Sequence, residues 1–71
     1  MENNTFTLRF RKDNKTIIQI ESKVLPKLRD RITILNANGE PTYYEVESIL
    51  RIIDSNSFSE VFAVRVSDFQ C

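Results

Sequence analysis

The chain has 71 residues, ten basic and ten acidic, with no histidine, one glycine and a single cysteine, Cys71. That length allows one domain, residues 1–71, which buries only about 60% of the surface its unfolded form exposes. The composition excludes an intrachain disulfide, and a zinc site has neither a histidine nor a second sulfur to draw on. Of the usual ways to stabilise so small a domain, self-association is the one the composition leaves open.

Thr5-Phe6-Thr7-Leu8-Arg9-Phe10-Arg11 alternates polar and apolar residues without a break. This is the period of a strand with one face in a core and the other in water. The first strand is expected over about 5–12 with Phe6, Leu8 and Phe10 inward. The second covers about 16–22, with Ile18 and Ile20 inward. Setting Phe10 opposite Ile18 and Leu8 opposite Ile20 requires an odd number of turn residues. A three-residue loop, Asp13-Asn14-Lys15, meets that condition; a two-residue Asp-Asn turn sets Leu8 against Gln19 instead and is rejected.

Residues 23–31 form the one irregular connection of any length, broken by Pro26, with Val24, Leu25 and Leu28 expected to fold back over an open barrel end. A third strand over about 31–36 points Ile32 and Ile34 inward. Asn36-Ala37-Asn38-Gly39-Glu40-Pro41 is a turn, because Asn-Gly readily supplies positive φ. The fourth strand, from Thr42 to about Asp54, is long for a strand. Tyr44, Val46, Leu50 and Ile52 share its inward face, and a bend near Ser48 lets it serve two sheets. A helix over Glu45–Ile53 competes, since Val46, Ile49, Leu50 and Ile53 also match helical spacing, but the β-branched and aromatic content favours a strand. Residues 55–59 form a polar loop with Phe58 as its one aromatic. A fifth strand over about 60–67 places Phe62, Val64 and Val66 inward. The expectation is an all-β, five-stranded antiparallel barrel.

Leu25-Pro26-Lys27-Leu28-Arg29-Asp30-Arg31-Ile32-Thr33-Ile34, followed by Gly39 and Tyr44-Glu45-Val46, resembles a pattern of small SH3-like barrel proteins. In those, a Pro-x-x-Gly-Asp turn leads into a strand and the next strand opens with Tyr-x-Val; here Arg29 stands at the glycine position. The resemblance covers about half the chain and implies a single SH3-like β-barrel. Many such barrels come from bacteria, phages and mobile elements, which suggests an accessory protein that blocks or sequesters a host component. No activity transfers with the fold, nor does a peptide groove, since the chain has no tryptophan.

Net charge is zero, but residues 1–31 hold eight basic and four acidic side chains, a net +4, and residues 32–71 two basic and six acidic, a net −4. Interleaved strands in a closed barrel neutralise one another. Otherwise the asymmetry is a dipolar surface suited to head-to-tail contacts or a local anion site. No apolar run approaches the ~20 residues of a membrane span, and Met1-Glu2-Asn3-Asn4 lacks the basic start of a secretory signal. The expectation is a soluble cytoplasmic protein.

Enzymatic chemistry is not expected. Without histidine the commonest general acid–base is missing, Cys71 has no adjacent base, and one glycine cannot build a phosphate loop. Glu45 and Glu47 point to one side of the fourth strand, a placement more typical of a solvated face than of a catalytic pair. No catalytic residue, metal or cofactor is assigned.

Two binding surfaces follow. The outward residues Tyr43, Ile49 and Ile53 of the fourth strand and Val61 and Ala63 of the fifth make a small apolar patch if Ile52 lies opposite Phe62. Such patches commonly mark association surfaces, so a homo-oligomer or one protein partner is expected. Arg9, Arg11, Arg29 and Arg31 are candidates for nucleic-acid or anion contact, with Tyr43 and Phe58 as the candidate stackers. In an oligomer these arginines are placed to line a pocket for a nucleotide-like ligand. The plainer reading of Arg9 and Arg11 is pairing with cross-strand acids such as Glu21.

Overall fold

The structure, a computed structural model, describes residues 5–70. Five strands make up the fold: β1 (Phe6–Lys12), β2 (Lys15–Ser22), β3 (Arg31–Leu35), β4 (Pro41–Asp54) and β5 (Ser59–Asp68). They form one sheet in the order β2-β1-β5-β4-β3. Residues 45–53 lie within β4, so the helical alternative fails. Among the described residues no helix is long and apolar enough to cross a membrane. Cys71 lies outside the described residues.

The sheet is all-β but not wholly antiparallel. β1 runs parallel to β5, with Leu8 opposite Phe62 and Phe10 opposite Val64, while the other three pairings are antiparallel. Nor does the sheet close: β2 and β3 are its two outer strands, and it curls into a half-barrel with a seam between them. Parallel pairing follows from the order of hydrophobic strands rather than from any local signal, since only a long connection can return a strand in the same direction.

Parity sets the core. Leu8 and Phe10 from β1, Tyr44 and Val46 from β4, and Phe62, Val64 and Val66 from β5 are buried on the concave face. Phe6 meets Phe62 edge-on with ring centroids 5.5 Å apart, the arrangement that ring quadrupoles favour. Leu25 packs against this core, but Val24 and Leu28 are exposed, so only one of the three connection residues expected to cover the barrel does so.

Two bulges correct the expected registers. Leu8 lies opposite Ile20 and Phe10 opposite Ile18, as parity requires, yet the turn is the two-residue Asp13-Asn14. Both residues have positive φ, 52° and 64°, as a type I′ hairpin demands. The extra residue is Ile17, left unpaired between the Phe10–Ile18 and Arg11–Thr16 pairs. In β4, Glu47 is unpaired between the Val46–Val66 and Ser48–Arg65 pairs. This bulge lies beside the expected bend near Ser48 and reverses the parity beyond it. Ile49 therefore faces Val64 and packs against the core, while Leu50 and Ile52 turn outward. The register is also one residue off the expected one: Arg51 lies opposite Phe62, Ile52 opposite Val61 and Ile53 opposite Glu60.

Gly39, at φ 79°, ends the turn after β3, and its amide donates to the Asn36 carbonyl at 2.9 Å. Arg29 has φ 71° at the third position of the Lys27–Asp30 turn, so it takes up a left-handed conformation suited to glycine. The Asp30 carboxylate holds that turn by accepting from the Lys27 amide at 2.9 Å. Replacing Arg29 by glycine relieves a left-handed cost of about 1 kcal/mol, partly offset by the greater freedom of glycine in the unfolded chain. Arg29→Gly is expected to raise the thermal midpoint by roughly 2–4 °C, an increase of about 0.5 kcal/mol; a lower midpoint in a calorimetric scan would show that the arginine side chain contributes more than the strain removes.

Candidate protein-interaction site

The open seam is an apolar groove. Ile18 and Ile20 of β2 face Phe10 across to Ile32, Thr33, Ile34 and Leu35 of β3, around a groove of about 360 Å³. Ile18 and Ile20 point inward as expected, but with no strand beside them they stay 37% and 39% exposed. Both strands bordering the seam are sheet edges, which leave backbone donors and acceptors unpaired beside the apolar side chains. The sequence pattern identified the inward isoleucines; what it lacked was any sign that their strands end the sheet.

The convex face carries a second apolar group. Val61 and Ala63 are half-buried there, joined by Leu50 and Ile52 instead of Ile49 and Ile53 because the Glu47 bulge exchanges the two sets. Tyr43 also lies on this face but at the opposite end of β4, where its carbonyl accepts from the Phe69 amide at 2.9 Å. Ile53 falls on the concave parity beyond the core, in the part of β4 that runs out toward the β4–β5 loop. The five expected patch residues are therefore spread over both faces.

The four candidate arginines are also separated. Arg9 and Arg11 lie on β1 and Arg31 on β3, with β5 and β4 between them. Arg9 Nε donates to the Gln19 side-chain oxygen at 3.0 Å and Arg11 donates to the Asn14 carbonyl at 2.9 Å, so neither takes the expected cross-strand acid. Arg11 Nε is buried without a hydrogen-bond partner. Arg11 lies directly opposite Arg65 of β5, and the two border a shallow depression of about 230 Å³ with Asn14, Ser48 and Leu50. Asp13 at its edge and Glu47, 3.6 Å from Arg65 Nε, balance the two positive charges. Arg31 stacks 4.0 Å from the centre of the Phe69 ring and lies 3.8 Å from Glu45. Glu45 and Glu47 thus serve separate arginines. Sequence reasoning missed Arg65 because its neighbour across the ladder depends on the parallel β1–β5 pairing.

No family model, curated protein or solved structure matches this chain. The reading of the site therefore rests on geometry alone. No group of three or more metal-ligating side chains comes together among the described residues.

The β4–β5 loop is the third feature. Asp54 caps it, its carboxylate accepting from the Asn56 amide at 2.9 Å. Phe58 stands at φ 55° and is 91% exposed, an aromatic in a backbone conformation costly for it and with its ring in water. Arg51 pairs with Glu60 at the base of the loop.

Two ionisations are shifted. Hydrogen bonds from the Asn56 amide, then from the Ser57 side chain and amide, hold the Asp54 carboxyl below its ordinary value. Hydrogen bonding to Asp68, at 2.6 Å, raises the Lys12 ammonium above its own. A lowered carboxyl favours the folded loop above its unfolded value near about 3.9 and ceases to do so as pH falls through the lower folded value. A raised ammonium favours folding below about 10.4 and loses that effect as pH rises through the higher folded value. The Asn56 amide shift is expected to titrate with a midpoint below about 3.9 in an NMR acid series, and Asp54→Asn should abolish that transition. A midpoint at or above the ordinary value would mean that the cap does not form.

Proposed function

We propose that this protein is a non-enzymatic binding module that works by association with itself or with one protein partner, through the seam between β2 and β3. The observation that supports this reading is the pairing of two unpartnered sheet edges with an apolar groove lined by Ile18, Ile20, Ile32 and Ile34. Edges of this kind accept further strands or loops, main-chain groups contributing affinity and side-chain pockets specificity. A small domain with few buried residues gains most from such added burial. The likeness to SH3-like barrels belongs to the same reading: Arg29 takes the left-handed conformation of the glycine it replaces, and Tyr44 and Val46 point into the core.

One observation favours a reading of another class. Arg9, Arg11 and Arg65 cluster on the convex face of adjacent strands, as a phosphate-contacting surface requires. The exposed aromatics that single-strand binding uses, Tyr43 and Phe58, stand apart from it, on β4 and in the β4–β5 loop.

Light scattering across a concentration series separates the two. The wild type is expected to rise above its 8.3 kDa monomer mass, and Ile20→Lys to remain monomeric while keeping its β-type circular dichroism. A wild type that stays monomeric to about millimolar concentration removes self-association, and association untouched by Ile20→Lys removes the seam. For the nucleic-acid reading, retention on single-stranded DNA should weaken with salt by about 0.7 log units per log unit for each phosphate contact. Arg11→Glu combined with Arg65→Glu should abolish that retention. No retention at about 50 mM salt would dismiss it.

A further inference from the structure

The seam and the β4–β5 loop are opposite kinds of surface on one molecule: an open apolar groove and a projecting apolar ring. We infer that copies of this chain associate head to tail, the Phe58 ring of one copy entering the β2–β3 seam of the next. This rests on the self-association reading and specifies its geometry.

Four observations carry it. The first is fit: an apolar cavity of about 150 Å³ takes a benzene ring, so a groove of about 360 Å³ holds the phenyl group with room for the backbone that delivers it. The second is that Phe58 breaks two local rules together, left-handed backbone and near-complete exposure of a large apolar ring. A ring docked on another copy resolves the exposure.

The third observation is reach. Phe58 lies six residues before Val64, which is opposite Phe10 at the floor of the groove. The near end of the seam, Ile20, lies level with Leu8 and Phe62, four residues beyond Phe58. At about 3.3 Å per residue that is some 13 Å along the sheet, with two strand spacings of about 4.8 Å across it, too far for the ring to enter its own groove. A Phe58 ring docked there therefore belongs to another copy.

The fourth is charge. The connection joining β2 to β3, the two strands that border the seam, carries Lys23, Lys27 and Arg29, none in an ion pair among the described residues. The loop that bears Phe58 is flanked by Asp54 and Glu60, with Arg51 as the only basic residue beside them. Docking brings the acidic loop of one copy toward the basic β2–β3 connection of the next, in keeping with the uneven charge along the chain. Knob and groove are different surfaces, so the contact is heterologous and propagates into chains or closes into a ring.

Glycine tests the knob, because it removes the ring and suits the left-handed backbone. Phe58→Gly is expected to be monomeric, with self-association weakened at least about tenfold and a thermal midpoint no lower than that of wild-type monomer. Ile20→Lys blocks the groove, and Ile18→Lys is the second block if the first fails to give a dispersed amide spectrum. The decisive experiment mixes the two kinds of variant. Phe58→Gly keeps a groove and the blocked variant keeps a knob, so two proteins that are each monomeric alone should form a dimer of one copy each and nothing larger, read by native mass spectrometry and light scattering. A mixture that stays monomeric overturns the proposal, as does Phe58→Gly associating like the wild type; in the latter case self-association stands and only its head-to-tail geometry falls. A wild type that never associates overturns the parent reading and this one with it.

Discussion

The parallel ladder between β1 and β5 holds the fold together. Among the described residues it is the sole backbone ladder between the β1–β2 hairpin and the β3-β4-β5 meander. An isolated two-stranded hairpin is marginal in water, and β1–β2 would be one without this junction. The same ladder brings Leu8 and Phe10 against Phe62 and Val64, so backbone pairing and core burial are one event. It also sets Arg11 beside Arg65, which accounts for the convex arginine cluster. Parallel pairing forms only after most of the chain has been made compact, because its partners lie more than fifty residues apart.

The two bulges decide which residues the core receives. An unpaired residue at Ile17 allows a tight Asp13-Asn14 turn to coexist with isoleucines that face inward. Another at Glu47 moves Ile49 into the packed face and sends Leu50 and Ile52 to the convex side. Each bulge adds one residue, and one residue is half the side-chain period of a strand. A bulge thus exchanges the two faces of everything beyond it, and a single such event in β4 redistributes the patch that alternation alone would place on one surface.

The half-open sheet leaves core-facing side chains partly in water. Ile18 and Ile20 serve the core by parity and stay partly in water because no strand closes over them. Phe58 serves no core at all. The hydrophobic surplus of this small protein is thus divided between a groove and a projection, the two surfaces on which the proposed head-to-tail association rests.

The primary structure determined that the protein is built of five strands, close to their observed limits, and which residues line most of the core. It did so because alternation, turn residues and β-branched content are local signals, and each acts within a few residues of its cause. Phe6-Thr7-Leu8-Arg9-Phe10 faces as its alternation says, and Asn36 to Gly39 turns as its residues require. Tertiary structure alone decided strand direction, sheet order, the Glu47 bulge and the gap between β2 and β3. Those depend on the total burial achieved by alternative pairings of distant strands, a quantity that no segment carries by itself.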